Sequence, residues 1–319
     1  MMAAPGSHTP SARRPWTLAP EFAARVKRDE PLSRHTSWHV GGPAELWFEP
    51  RDREDLSAFM RALPRAMPVH WIGLGSNLLV RDGGLRGAVI VTHGALNRLE
   101  RLSQNDIYCE AGVPCARIAR QCIKWGMGPA EFFAGIPGTL GGALAMNAGA
   151  FGGETWPHVL AVDVLSRDGR RSTREAEQYQ ISYRHVLPPM PEEWFLGAKL
   201  HFELKPGVSS DAVRELLRRR KETQPIGEWS CGSVFTNPPG DHAARLIEAS
   251  GLKGFRLGGA SVSAKHANFI INHGSATAAE LEQLIAHVQH SVLLKQGVQL
   301  ATEVRVIGEA LPTPSRELS

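Results

Sequence analysis

Glycine dominates one stretch of this sequence where a ligand could approach the backbone. Residues 132–154, FFAGIPGTLGGALAMNAGAFGGE, contain seven glycines and a single charged residue, Glu154. A glycine held in one conformation costs about 0.5–1 kcal/mol relative to alanine, so seven ordered glycines need compensation. The segment is too apolar for a flexible linker. Two explanations remain open: backbone packs closely on backbone, or backbone amides approach a large, phosphate-bearing ligand.

A second glycine-containing segment, GLGSNLLVRDGG, begins at Gly73 directly after the strand-like VHWI. It does not match the dinucleotide-binding Rossmann turn, because Leu78 stands at the third glycine position and no helix pattern follows. The backbone amides of residues 73–77, together with the Ser76 and Asn77 side chains, could form a concave site for an anion. Taken alone, the segment predicts either an anion site or only a tight turn.

The composition is typical of a globular protein without a membrane span. The chain has 319 residues, of which 42% are hydrophobic and 21% charged, and no apolar run approaches the ~18 residues of a spanning helix. No apolar region follows the Arg13-Arg14 pair, so no secretory signal is expected. The four cysteines contain no C-x-x-C pair, which predicts neither a disulfide framework nor a metal site. We expect a cytoplasmic protein whose Cys115 and Cys122 lie in the core beside Ile118.

The positive charge of the chain does not by itself predict nucleic-acid binding. The net charge is +4 and the pI is near 9, but the basic residues are dispersed apart from the run RRRK at 218–221. A duplex-binding face would need a basic stripe or a recognisable nucleic-acid module. The run predicts a local anion site instead.

Two kinds of secondary structure must position these segments. From Trp38 to about Leu204, short β-like runs separated by glycine turns predominate, interrupted by one clear helix in VPCARIARQCIKWGMG. After Pro206 three amphipathic helices follow, SSDAVRELLRRRKE, DHAARLIEASG and TAAELEQLIAHVQHSVLLKQG, of which the last is capped by Thr277 and ends at Gly297. The change predicts a separate α+β domain that begins near residue 206.

A last strand is predicted in VQLATEVRVIG, and the alternation of its side chains between two faces predicts which way Glu303 points. One face of this strand carries Leu300, Thr302, Val304 and Val306. Glu303 falls on the opposite face, away from the apolar side chains. Considered alone, the strand slightly favours a solvent-exposed Glu303.

The two glycine-rich segments, in this order and separation, resemble the flavin domain of vanillyl-alcohol-oxidase-type flavoproteins, in which such segments wrap the diphosphate of an extended FAD. The resemblance continues in collinear order, over about residues 31–308, to the UDP-N-acetylenolpyruvoylglucosamine reductase (MurB) family. The segments that carry it are TSWHVGGPAELWFEP, GLGSNLLVRDGG, AGIPGTLGGALAMNAGAFGGE, SYRH, CGSVFTNPPGDHAARLIEASGLKG, KHANFIIN and ATEVRVIG.

This resemblance implies an α+β fold: a two-lobed FAD-binding domain of the vanillyl-alcohol-oxidase (PCMH) type followed by a C-terminal α+β substrate domain. The implied parts of the chain are a loose N-terminal tail at 1–30, the FAD-binding domain at 31–205 with lobes of about 31–100 and 101–205, the substrate-binding domain at 206–309 and a tail at 310–319.

The family is known for one reaction. NADPH reduces a bound FAD, and the enol ether of UDP-N-acetylglucosamine-enolpyruvate is then reduced to UDP-N-acetylmuramate for peptidoglycan synthesis. The resemblance therefore implies FAD, held without a covalent bond, and NADPH as hydride donor. The implied FAD-binding residues are Gly73, Gly75, Ser76, Asn77, Leu78, Gly135, Ile136, Pro137, Gly138, Gly141, Gly142, Asn147 and Gly149.

Three positions match the catalytic residues of the family: Arg184 of SYR, Ser233 of CGSVF and Glu303 of ATEVR. Hydride delivery to the terminal enolpyruvyl carbon leaves negative charge beside the substrate carboxylate. The resemblance implies that Arg184 and a protonated Glu303 stabilise this charge and that Ser233 supplies the proton.

The resemblance also implies contacts to the substrate. Asn237, four residues after the catalytic serine, matches a substrate-contacting position. The family places a cation for the substrate diphosphate within RRRKETQP, but its usual lysine position is Thr223 here. The implied substitutes are Arg219, Arg220 and Lys221.

Only 48 residues separate Arg184 from Ser233, which leaves little room for the tyrosine insertion of the longer subclass and implies the shorter type II.

Two other functions remain open. The same flavin fold could serve another FAD-dependent oxidoreductase, against which GSVFTNP and ATEVRVIG argue. The chain could also be a non-catalytic nucleotide-sugar-binding module, against which the intact glycine segments argue. The expected partners are the UDP-sugar substrate and NADPH, without nucleic acid or a membrane span, in a monomer or weak oligomer.

Overall fold

The computed structural model describes residues 17–205, 207 and 209–311. Within these residues, a four-stranded, a five-stranded and a three-stranded sheet follow one another along the chain. Each sheet packs against its own set of buried apolar side chains. The outer parts of the two predicted tails, 1–16 and 312–319, lie outside the described residues.

The first sheet is mostly parallel. Its region contains α1 (Pro20–Ala23), β1 (Lys27–Pro31), β2 (Pro43–Phe48), α2 (Arg53–Ala62), β3 (Val69–Ile72), β4 (Leu78–Val80) and β5 (Leu85–Val91), with a 3₁₀ turn at Leu32–Arg34. The strand order is β1-β2-β5-β3, antiparallel between β1 and β2 and parallel elsewhere. Parallel strands are covered on both faces, and β5 is accordingly apolar and buried almost throughout. Residues 73–77 leave this sheet directly after β3.

The structure differs from the predicted loose tail over residues 20–30. Phe22 of α1 is buried, with ring centroids 5.8 Å from Phe48 and 5.3 Å from Phe59 in edge-on geometry. Strand β1 pairs with β2 from Lys27 to Pro31. The polar sequence KRDEP gave no strand signal, because this strand is held by backbone pairing and not by an apolar face.

The second sheet is antiparallel. Its region contains β6 (Leu99–Arg101), β7 (Asp106–Glu110), α3 (Cys115–Lys124), β8 (Met127–Gly128), α4 (Leu140–Ala145), β9 (Gly149–Ala150), β10 (Gly153–Glu154), β11 (Val159–Ser166), β12 (Arg171–Glu175), β13 (Gln180–Ser182), β14 (His185–Leu187), β15 (Glu193–His201) and β16 (Glu203–Leu204), with 3₁₀ turns at Glu131–Gly135, Trp156–His158 and Ala176–Gln178. The strand order is β12-β11-β15-β7-β6. Helix α3 buries Cys115, Ile118 and Cys122 in the core, as the helical spacing predicts.

The third region is helical around a small sheet. It contains α5 (Ser210–Thr223), α6 (Ala243–Ala249), β17 (Arg256–Leu257), β18 (Ala260–Val262), β19 (Ile270–Asn272), α7 (Ala278–Gln296) and β20 (Arg305–Ile307). Helix α7 begins at the predicted Thr277 cap, which exchanges hydrogen bonds with Glu280, and it ends at the left-handed Gly297. None of the helices in the described ranges has the length and apolar character needed to cross a membrane.

The last strand is shorter than predicted and belongs to a different pairing. Strand β20 starts only at Arg305 and pairs in parallel with β4, with Arg305 opposite Leu78. The end of the third region therefore returns to the first one. This pairing places the residues just before β20 beside the loop at 73–77, where the candidate site lies.

Candidate functional site

A cavity of about 430 Å³ lies where the three regions meet, a volume suited to a small-molecule site. Its wall includes the loop after β3, the glycine-rich segment after residue 135, the turn between β13 and β14, and the chain just before β20. The predicted site residues that line it are Gly73, Gly75, Ser76, Asn77, Leu78, Gly135, Ile136, Pro137, Gly138, Gly142, Gly149, Arg184, Arg220, Ser233, Asn237 and Glu303. Gly141, Asn147, Arg219 and Lys221 do not line it.

Several of the glycines are required by contacts within the protein. A Cβ atom on Gly75, whose φ is +61°, would lie 1.9 Å from the carbonyl oxygen of His35. A Cβ atom on Gly73 would lie 2.4 Å from Thr139 Oγ1, so the two glycine-rich segments contact each other there. At Gly75 the explanation by close backbone packing holds, whereas the close contact of Gly73 is with the Thr139 side chain.

Two other glycines have open space where a side chain would project. A Cβ atom on Gly138 would meet nothing nearer than Ser76 Oγ at 3.6 Å, and one on Gly142 nothing nearer than Thr139 Oγ1 at 3.9 Å. Both glycines line the cavity. The protein alone does not require glycine at these two positions, so the explanation by an approaching ligand fits them.

The loop after β3 offers unpaired backbone donors. The amides of residues 74–77 donate to none of the residues that the structure describes. Successive unpaired amides in a concave loop form a binding site for an anion. The loop and the open positions at Gly138 and Gly142 therefore fit a diphosphate-bearing cofactor such as the predicted FAD.

The two kinds of glycine should respond differently to alanine. Gly142→Ala should leave the apoprotein at least as stable as the parent, because alanine is favoured over glycine in a helix by up to about 1 kcal/mol. The same change should weaken FAD binding at least tenfold, because the added methyl group fills space assigned to the ligand. Gly75→Ala should instead destabilise the apoprotein by about 1–3 kcal/mol through backbone strain. Thermal unfolding of the apoprotein and FAD titration would measure both. Equal loss of stability in the two variants would contradict the distinction.

Arg184 is held by the glycine-rich segment. It adopts a left-handed φ of +56° in the two-residue turn between β13 and β14. Its Nη1 donates to the carbonyl oxygen of Asn147 at 3.2 Å and its Nη2 to that of Gly149 at 3.0 Å. Its Nε lies 3.1 Å from Glu303 Oε1, but the N–H is not aligned with that oxygen. The guanidinium is therefore fixed by two carbonyls while one N–H stays without an aligned acceptor.

The expectation of a solvent-exposed Glu303 is wrong. Its side chain is only 14% exposed and faces the cavity. Burial raises the pKa of Glu303, and the nearby Arg184 lowers it in part. The prediction from strand alternation does not apply, because β20 begins only after Glu303. Instead, the Glu303 amide donates to Val234 O at 2.8 Å, and the Glu303 carbonyl accepts from Asn77 Nδ2 at 3.0 Å.

Ser233 follows Gly232, which has a φ of +72°. Ser233 lines the cavity, and its hydroxyl makes no hydrogen bond to a described residue. The segment after it is held by the buried Asn268, whose side chain accepts from Phe235 N at 2.9 Å and donates to Phe235 O at 2.8 Å. No pattern in the sequence singles out Asn268 beyond its place in the KHANFIIN segment.

The structure separates the three candidate cations of the basic run. Arg220 lines the cavity, where its Nε donates to Gln224 Oε1 at 2.7 Å and its Nη1 donates to Gly135 O. Arg219 is exposed and pairs with Glu215 at 2.8 Å. Lys221 is also exposed. Asn237 lines the cavity, and its Oδ1 accepts from the first amide of α6 at 3.1 Å.

Comparison with protein families gives two matches to this chain. The model described as UDP-N-acetylenolpyruvoylglucosamine reductase, C-terminal domain, matches residues 224–307. The model described as FAD binding domain matches residues 44–173.

Comparison with individual proteins points to the same family. The UDP-N-acetylenolpyruvoylglucosamine reductase of Alkalilimnicola ehrlichii is 56% identical over 284 residues, covering 88% of this chain and 94% of that protein. The reductase of the same name from Methylococcus capsulatus is 56% identical over 297 residues, covering 92% and 96%. Among solved structures, the UDP-N-acetylenolpyruvylglucosamine reductase of Thermus caldophilus matches with a TM-score of 0.75 and 32% identity, covering 88% of this chain and 98% of that one.

Proposed function

The chain belongs to the UDP-N-acetylenolpyruvoylglucosamine reductase family, and from this premise we propose the part that each cavity residue takes in the reaction. The protein is an FAD-dependent oxidoreductase that uses NADPH to reduce UDP-N-acetylglucosamine-enolpyruvate to UDP-N-acetylmuramate. Family membership leaves the two alternative functions without support. One observation carries the assignment of roles: Arg184, Ser233 and Glu303 come from three separate segments and line one cavity with both glycine-rich loops.

FAD, when bound and reduced, supplies the hydride for the substrate double bond. We assign the FAD diphosphate to the unpaired amides of residues 74–77 and to the open space at Gly138 and Gly142. Gly73, Gly75 and Gly141 act indirectly in this assignment, because they allow their segments to pack closely against Thr139, His35 and Ala111, respectively. The chain itself must then bind the substrate, stabilise charge and supply a proton.

Arg184 supplies fixed positive charge. Its guanidinium is held by two carbonyl oxygens before any substrate arrives, so little reorganisation is needed when charge develops. Its Nε is buried without an aligned acceptor, so we assign the role to the positive charge of the guanidinium, which lines the cavity and stabilises the substrate carboxylate and the developing enolate. A preorganised group of this kind contributes about 3–4 kcal/mol of transition-state stabilisation.

Glu303 acts in its neutral form. A carboxylate would repel an enolate, whereas a protonated carboxyl group donates a hydrogen bond to it. Burial favours the neutral form and raises the pKa of Glu303, although Arg184 opposes this effect. Ser233, whose hydroxyl is free of hydrogen bonds to described residues, then supplies the proton to the substrate carbon.

Arg220 is the residue that we assign to the substrate diphosphate, and Asn237 lines the same cavity. Arg220→Ala should raise the dissociation constant of the UDP-sugar about 10- to 100-fold, because a charge-assisted hydrogen bond contributes about 1.5–3 kcal/mol. Isothermal titration with the FAD-loaded protein would measure this. Arg219→Ala is the matched control, since Arg219 is exposed and paired with Glu215, and it should keep the affinity of the parent. The reverse pattern would refute the assignment.

The remaining proposals concern domains and partners. We keep the domain boundary near residue 206, a cytoplasmic location and a monomeric or weakly oligomeric state as proposals.

The basic run does not form a free cationic face, because Arg218 and Arg219 pair with glutamates of the same helix. This pairing supports the proposal that nucleic acid is not a partner.

The two half-reactions, followed separately by flavin absorbance, test the assignment of roles. Changes at the three catalytic positions should slow reoxidation by the enolpyruvyl substrate more than reduction by NADPH. If both half-reactions respond equally to all three changes, the proposed roles are wrong.

A further inference from the structure

Asn147 has a backbone conformation that most residues avoid. Its φ is +44° and the residue is 1% exposed. Asparagine is one of the few residues besides glycine that adopt the left-handed region at low cost. The residue lies between α4 and β9 and outside the cavity wall, so its side chain is not placed to contact a ligand in the cavity.

Each hydrogen-bonding group of the Asn147 side chain has a partner. Its Oδ1 accepts from Trp156 N at 3.1 Å. Its Nδ2 donates to Glu154 Oε2 at 2.9 Å and to Ser182 O at 3.3 Å. A buried amide with this set of partners is fixed in one orientation.

The same residue contacts the Arg184 hairpin in two places. Ser182 ends β13 and stands two positions before Arg184, and its carbonyl accepts from the Asn147 side chain. The Asn147 carbonyl accepts from Arg184 Nη1, and the neighbouring Gly149 carbonyl accepts from Nη2. The side chain thus holds the strand that leads to Arg184, while the backbone holds the guanidinium.

We propose that Asn147 is a positioning residue for Arg184: its side chain and its left-handed backbone together set the position of the guanidinium in the cavity. This inference rests on the proposed catalytic role of Arg184. If Asn147 has this role, the glycine-rich segment orients the Arg184 guanidinium in addition to lining the cofactor site.

Asn147→Asp tests the proposal with a minimal change of shape. Aspartate also tolerates a left-handed backbone, but it places an acceptor where Nδ2 donates to Glu154 and Ser182. Reoxidation by the enolpyruvyl substrate should slow about 10- to 100-fold, because small displacements of a catalytic group have effects of this size. Reduction by NADPH and FAD content should stay within about twofold of the parent.

A second change should restore the lost interaction. In Asn147→Asp/Glu154→Gln the glutamine amide donates to the aspartate, which reverses the sense of the original hydrogen bond. We expect reoxidation to recover to within about fivefold of the parent. Glu154→Gln alone is the control, since its amide oxygen still accepts from Asn147 Nδ2. Asn147→Gly, which keeps the backbone conformation and loses the side-chain bonds, should show the same selective slowing if the aspartate variant folds poorly.

The outcomes separate this inference from the proposed function. If Arg184→Ala slows reoxidation selectively and neither Asn147 variant does, the positioning role is overturned and the role of Arg184 stands. If Arg184→Ala has no selective effect, the role of Arg184 fails and the inference fails with it. A third outcome is that the Asn147 variants lose FAD, or slow both half-reactions equally, and that the double variant does not restore the rate. This outcome would show that Asn147 acts on the cofactor segment alone, and it would also overturn the inference.

Discussion

Ser233→Ala should slow reoxidation of the reduced flavin by the enolpyruvyl substrate at least about 10²-fold, the effect expected when a positioned acid is lost. Reduction by NADPH should be nearly unchanged, because hydride transfer between two rings needs no hydroxyl proton. The Ser233 hydroxyl is placed for this role, since it lines the cavity and no described residue takes its hydrogen bond. Stopped-flow flavin absorbance would record both steps in the same preparation.

The variant Ser233→Cys provides a graded comparison at the same position. A thiol keeps a proton to donate, so its reoxidation rate should fall between those of the parent and the alanine variant. Equal slowing of both half-reactions by Ser233→Ala would indicate damage to the flavin site. An unchanged reoxidation rate would remove Ser233 from the mechanism.

Reoxidation by the substrate should lose rate as the pH rises through the pKa of Glu303, and Glu303→Gln should abolish this dependence. The acid form is the active one, so activity is full below that pKa and declines above it. Burial raises the pKa of Glu303 from its ordinary value, with Arg184 opposing, so the decline should begin at a higher pH than for an exposed glutamate.

Glutamine keeps a neutral hydrogen-bond donor but is a much weaker acid. We expect Glu303→Gln to react about 10- to 10²-fold more slowly at low pH and to show a flat profile across this range. Glu282→Gln is the matched control, because Glu282 forms a partly exposed pair with Arg81 at 2.7 Å and does not line the cavity. A decline that persists unchanged in Glu303→Gln would assign the titration to another group.

These two predictions concern different tasks at one site. Ser233 delivers a proton to carbon, whereas Glu303 and Arg184 stabilise the charge that precedes its delivery. Arg184 Nε lies 3.1 Å from Glu303 Oε1, so the guanidinium favours the ionised carboxylate and opposes the burial that favours the neutral form. The two residues therefore act on the same developing charge while each also affects the other.

At the site, contacts between distant segments determine features that local sequence patterns did not predict. Glu303 was expected to face solvent because the alternation of a strand was extended over residues that bend towards Val234 and Asn77. Arg219, Arg220 and Lys221 are equivalent in the sequence, and only the packing of α5 against the Glu131–Gly135 turn selects Arg220 for the cavity. Asn268 gave no signal, because its task is to hold the backbone of a segment 33 positions earlier in the chain.

The elements whose stability is local, and the family to which the chain belongs, were predictable from residue types and their spacing. Helix α7 with its Thr277 cap and Gly297 end, the buried face of α3 and the glycine-rich segments follow from spacing and residue type, because capping, helical periodicity and glycine conformation depend on near neighbours. Tertiary structure alone decided which glycines serve packing and which leave ligand space, and which face Glu303 presents. The glycine outcomes depend on contacts with His35, Thr139 and Ser76 from other segments. The face that Glu303 presents depends on β20 pairing with β4, a contact across more than two hundred residues. No local pattern encodes such a pairing, because its stability comes from the surfaces that it buries and not from the residues beside it in the chain.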